Sequence, residues 1–111
     1  MKYRPAIVSA YYLSEGIPEP IYEFCFAKPR MWRWDICWPD FLVALEVQGG
    51  LWIGKGHSKA GRIVKDHEKF NAGTLLGWRI LYCQPSEVCL MDTVRMIKRL
   101  IVLASTVPES K

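Results

Sequence analysis

No hydrophobic run in this chain approaches the length of a membrane span, and residues 1–20 hold neither an apolar h-region nor a small-residue cleavage site. The expectation is a soluble, intracellular (cytoplasmic) protein with no membrane partner. No cysteine sits in a Cys-x-x-Cys pair, and none has the histidine spacing of a zinc site. Cys25, Cys37 and Cys83 fall in apolar, strand-like runs, which suits reduced thiols packed as small hydrophobes rather than disulfides. Repeats, low-complexity tracts and linkers are also missing, so the 111 residues read as one domain, 1–111, large enough to bury a core without staples.

What is present is a globular composition, half hydrophobic with five tryptophans. Fifteen Lys and Arg against eleven Asp and Glu leave a net charge of +4. The excess is local. Lys55, Lys59, Arg62, Lys65 and Lys69 lie in one stretch with His57 and His67 and only two acids, Asp66 and Glu68. Such a stretch suits a phosphate-bearing partner, and equally a solvated helix face whose charges neutralise one another.

Periodicity orders the elements. Pro5 opens a helix with Ile7, Ala10, Tyr11 and Ser14 on one side, stopped by Gly16. "IYEFCFA" (21–27), "MWRWDIC" (31–37) and "FLVALEVQ" (41–48) alternate as strands joined by short turns, the pattern of an antiparallel meander. Gly49-Gly50 and a Gly/Lys loop follow. A helix from Lys59 carries Ile63, His67, Phe70 and Thr74 as its stripe and ends near Gly77. "WRILYC" (78–83) is a fourth strand, and Pro85-Ser86-Glu87 opens a last helix with Leu90, Val94, Ile97 and Ile101 inward. The fold class is α/β: a mixed four-stranded sheet flanked by helices, in the order αβββαβα.

Two acids stand on apolar strands, where carboxylates are rarely left without partners. Asp35 and Glu46 are separated by ten residues across one hairpin. Pairing across the Trp38–Phe41 turn sets position 35 roughly opposite position 44, with Glu46 a diagonal neighbour. Strands ~4.8 Å apart allow both carboxylates to meet one hard divalent cation such as Mg²⁺. The competing reading is an ordinary ion pair with Arg33 or Lys69.

Asp35, ten residues, then Glu46-x-Gln48 on an apolar strand resembles the Asp…Glu-x-Lys site of the PD-(D/E)xK nuclease superfamily. In particular the chain is similar to small endonuclease-like proteins related to very-short-patch-repair endonucleases of phages and bacteria. The segments that carry the likeness are "YEFCFAKPRMWRWDICWPD", "ALEVQGGLW", "GKGHSKAGRIVKDHEKFNA" and "LLGWRILYCQPSEV", together spanning about residues 17 to 88. The resemblance implies a restriction-endonuclease-like fold and a Mg²⁺-dependent DNA endonuclease, Mn²⁺ substituting, acting on mismatched, branched or nicked DNA. It implies Asp35, Glu46 and the Val47 carbonyl as metal ligands, with Glu23 direct or through water; a strand-edge pair with Arg30 or Arg33 is the other reading of Glu23. His57 would contact the scissile phosphate or relay a proton, or else be a plain loop histidine. Gln48 stands where the superfamily has lysine, and it orients water without adding charge. Lys69, then Lys65, is the candidate for that displaced lysine, and Asp66 with Lys69 matches a recurrent acid–lysine pair.

Lys55, Lys59, Arg62 and Lys65 would hold phosphates, and Trp52 would stack on a base or pack in the core. Trp32, Trp34 and Trp78 read as core. The missing lysine and small size keep a second reading open, a catalytically weak or inactive nucleic-acid-binding module on the same fold. A homodimer that cuts both strands is a third.

Overall fold

In the computed structural model, residues 3–48 and 59–105 are described, with backbone alone for 59–66. The element order is α1 (Pro5–Ser14), β1 (Ile21–Cys25), β2 (Arg33–Trp38), β3 (Val43–Val47), α2 (Lys59–Leu75), β4 (Arg79–Cys83) and α3 (Met91–Ser105). The sheet runs β1-β2-β3-β4. The first two pairings are antiparallel and the third, across α2, is parallel. This is a small α/β domain with a four-stranded mixed sheet flanked by helices, as the periodicity implied.

The sheet has two covered faces. On one, Val8 and Tyr12 of α1 and Val94 and Ile97 of α3 pack on Ile36, Trp38, Val43, Leu45 and Val47. The Tyr12 hydroxyl, fully buried, donates to the Val88 carbonyl at 2.7 Å and so ties α1 to the lead-in of α3. On the other face Phe70 of α2 joins Trp34, Cys37, Ala44 and Trp78. Phe26 and Trp34 stack at 4.0 Å between ring centroids, and Phe70 lies parallel on Trp34's side at 6.4 Å.

Several sequence expectations are corrected here. In α1 the buried pair is Val8 and Tyr12, one helical turn apart, while Ile7 is 53% exposed. In α2, His67 and Thr74 face solvent, and Lys69, Phe70 and Gly73 turn inward. Gly77 does close α2: with φ at 94° it leaves Trp78 N–H on the Gly73 carbonyl and its own N–H on Thr74, a Schellman arrangement. The segment Pro85–Glu87 is a separate 3-10 turn, because the Glu87 carboxylate accepts the Gln84 N–H at 2.8 Å and closes it locally. The last helix therefore starts at Met91, and Leu90 is exposed. Trp32 is half-buried rather than core, with the Arg30 guanidinium 3.8 Å over its ring.

The pairing register also differs from expectation. Cys37 pairs with Ala44 and Ile36 with Leu45, which aligns Asp35 with Glu46 rather than with residue 44. The turn is the reason. Pro39–Phe41 forms a 3-10 turn and Leu42 takes a left-handed φ of 55°, so the hairpin opens directly into Trp38↔Val43.

Candidate functional site

Strict alternation breaks at two facing positions. The β1–β2 register pairs Tyr22 with Ile36 and Phe24 with Trp34, skipping Glu23 and Asp35 between them. Glu23 has φ 53°, a left-handed conformation that non-glycine residues seldom adopt. Across this joint the side chains change face. Tyr22 and Ile36 belong to the α1/α3 core, whereas Phe24 and Trp34 belong to the α2 core. Simple alternation along 31–37 would put Trp34 and Ile36 on one face; a local kink separates them, and the kink is where the acid sits.

The β2–β3 backbone ladder ends at Ile36↔Leu45. Beyond it the two carboxylates take over the hydrogen bonding. The Asp35 N–H donates to Glu46 Oε2 at 2.9 Å, and the Val47 N–H donates to Asp35 Oδ2 at 2.7 Å. Each acid is thus held by the other strand's backbone, through short hydrogen bonds. The two side chains reach across the hairpin to each other's backbone, in a register that differs from the one the sequence implied.

Lys69 completes the cluster. From α2 its Nζ lies 2.8 Å from Glu46 Oε1, with 15% of the side chain exposed. The ammonium also lies 5.2 Å from the Trp34 ring centroid and 5.6 Å from that of Phe70. Gly73, one turn along the same face of α2, makes this approach possible. A Cβ there would stand 2.6 Å from Trp34 Cζ2 and 2.7 Å from Cη2. Sequence reading missed Gly73; its signal was a glycine inside a helical run, which commonly has a packing cause.

Glu46 is only 5% exposed. Burial pushes its carboxyl above the usual range, Lys69 pulls it down, and the neighbouring Asp35 charge raises it again; the net direction is up. Tyr3, also missed, donates its hydroxyl to the Asp35 carbonyl at 3.4 Å. Burial first, then the charges of Asp35 and Glu23, raise the Tyr3 phenol far above its ordinary range. The Tyr3 ring rests on Tyr22, centroids 6.2 Å apart.

Of the remaining candidates, Gln48 comes directly after β3, is half-buried, and continues the β3–β4 pairing through its N–H to the Cys83 carbonyl at 2.8 Å. Val47 is buried, with its N–H committed to Asp35. Glu23 is exposed, and among the described residues no three Asp, Glu, His or Cys side chains gather around one ion position. The Arg30 offered as Glu23's partner instead pairs with Glu68 at 3.6 Å. Trp52, Lys55 and His57 lie outside the described residues, as do the side chains of Lys59, Arg62, Lys65 and Asp66.

The donor set of Asp35, Glu46 and the Val47 carbonyl is all hard oxygen, and a cation, the Lys69 ammonium, already stands on one of those oxygens. That fits a Mg²⁺-type ion held by two carboxylates and completed by water and substrate oxygens. A cavity of about 120 Å³ lined by Pro18, Trp38, Pro39 and Phe41 lies at the opposite end of the hairpin and takes no part in the cluster. No family model, curated protein or solved structure matches the chain. No helix among the described residues is long and apolar enough to cross a membrane.

Proposed function

We propose that the domain is a metal-dependent endonuclease of the PD-(D/E)xK type acting on DNA. One observation carries this reading: Asp35 and Glu46, from adjacent strands, interlock where the β2–β3 ladder ends, with the Lys69 ammonium 2.8 Å from Glu46 Oε1. Acid, acid and lysine are the parts the resemblance calls for, with the lysine delivered by α2 instead of position 48.

Asp35, Glu46 and the Val47 carbonyl would hold the ion. A bound Mg²⁺ supplies Lewis-acid polarisation of the phosphodiester and a water of lowered pKa. The chain's own groups do the rest. Asp35 and Glu46 are pre-set by backbone N–H donors, so little reorganisation is needed to present their oxygens. Lys69 brings a positive charge toward the place where a phosphate gains negative charge. Gln48, directly after β3, would offer a neutral group to orient water.

The direct test is incubation of nicked, branched and mismatched DNA with Mg²⁺ or Mn²⁺, with EDTA as control. Cleavage that needs metal and drops at least about 100-fold in Asp35→Asn and Glu46→Gln is expected. No metal-dependent cleavage, or cleavage that survives both substitutions, overturns the proposal. A second reading, a binding module without catalysis, is favoured by one fact: both Glu46 oxygens already have partners. It requires DNA binding that is indifferent to divalent metal.

A further inference from the structure

The Lys69–Glu46 contact has a consequence for how any metal enters. Glu46 Oε2 accepts the Asp35 N–H, a donor of the β2 backbone, at 2.9 Å. Oε1 is held by Lys69 Nζ at 2.8 Å, so an ion that takes this oxygen meets the ammonium there. A divalent ion on that oxygen and an ammonium at hydrogen-bond distance from it repel one another strongly in so buried a place. One has to go. Lys69 is able to move: its stem is flexible, its side chain keeps some solvent exposure, and its ammonium already lies within cation–π range of Trp34 and Phe70.

We infer that Lys69 is a built-in competitor for the metal position, holding Glu46 Oε1 in the metal-free chain and swinging off it, along the Trp34 and Phe70 rings, when a divalent ion binds. The inference rests on the metal site proposed above and adds an order of events. Metal binding releases a cation at the rim of the cluster, where a substrate phosphate would then meet it. Glu46 is never left as a bare buried charge, because one cation replaces the other.

Titration calorimetry with Mn²⁺ on the full chain tests this, at constant pH on the alkaline side of neutral. Lys69→Met removes the charge and keeps the stem's bulk. The expected result is Mn²⁺ binding about tenfold tighter than wild type. Equal or weaker binding in a folded Lys69→Met chain overturns the inference while leaving the metal site itself standing. Where that variant proves unfolded by circular dichroism, the wild-type chain decides. Saturating Mg²⁺ is expected to shift the ¹⁵Nζ resonance of Lys69, and an unmoved resonance overturns the inference. Absence of Mn²⁺ binding in both chains overturns the nuclease reading and this inference with it.

Discussion

Replacing Gly73 by alanine sets two effects of opposite sign against each other. In a free helix the change is favourable by about 1 kcal/mol, because alanine loses less backbone entropy and shields the helix. Here the new methyl would stand 2.6 Å from Trp34 Cζ2 and 2.7 Å from Cη2, far inside van der Waals contact, and 3.3 Å from Ile80 Cδ1. The indole has nowhere to retreat. It is fully buried, with Phe26 stacked 4.0 Å away and Phe70 lying parallel at 6.4 Å. Overpacking costs about 1–3 kcal/mol, and a contact of 2.6 Å on a fully buried indole belongs in the upper half of that range, so subtracting the propensity gain leaves a net loss near 1–2 kcal/mol. For a domain of this size that is a fall in melting temperature of roughly 3–8 °C. Because α2 must back away from the sheet, the Lys69–Glu46 contact should loosen as well. Thermal melting followed by far-UV and near-UV circular dichroism measures the effect, the near-UV band reporting on aromatic packing as a whole, Trp34 included. A Gly73→Ala chain that melts at or above the wild-type temperature would refute the claim that this glycine exists to let α2 close on Trp34.

Two further outcomes follow from burial. Tyr12→Phe deletes the hydroxyl that donates to the Val88 carbonyl at 2.7 Å and leaves that carbonyl unpaired beneath α1. A loss of about 1–3 kcal/mol is expected in urea unfolding, with the m-value unchanged; a wild-type midpoint would contradict it. Burial pushes the thiols of Cys37 and Cys83 from 9.0 up to about 12, helped at Cys37 by Glu46 and at Cys83 chiefly by Glu87. Between those values the unfolded chain releases protons that the folded chain keeps. Stability is therefore lost as pH rises from about 9 toward 12, by up to ~1.4 kcal/mol per pH unit for each thiol. Cys37→Ala should flatten this alkaline limb in unfolding curves taken across the range, and an unchanged slope would count against it.

The strands, their order and the mixed sheet were legible in the sequence because each apolar run alternates and ends at glycine or proline. The convergence of Asp35 and Glu46 was legible too, since both lie on one hairpin. The face change at Glu23 and Asp35 was not. Periodicity extends the ladder through every residue, and nothing in an alternating string announces that two carboxylates will replace backbone partners. The register followed from a turn in which Leu42 adopts a left-handed φ, a conformation that leucine does not advertise. Inward and outward faces of α1 and α2 were misassigned for a similar reason. With apolar or aromatic residues on several sides, one-residue shifts such as Ile7 for Val8 fit the pattern equally well, and only the docked sheet decides between them.

The misread places and the chemically interesting place coincide, and the coincidence has a physical cause. A ladder pair at 35 and 46 made of valines would continue the sheet, bury apolar surface and need no lysine. The acids instead end the ladder, carry charge into the interior, and commit Lys69 and two backbone N–H groups to holding them. They also coincide with a left-handed Glu23 and an indole N–H on Trp34 that has no hydrogen-bond partner among the described residues. Replacing a buried ion pair with packed hydrophobes is commonly neutral or stabilising, so stability alone gives no reason for this arrangement. Local rules that agree elsewhere in a fold and fail together at one joint support the chemical site proposed above. The oxygens of Asp35 and Glu46, pre-set by the backbone and already attended by a cation, are what that joint delivers.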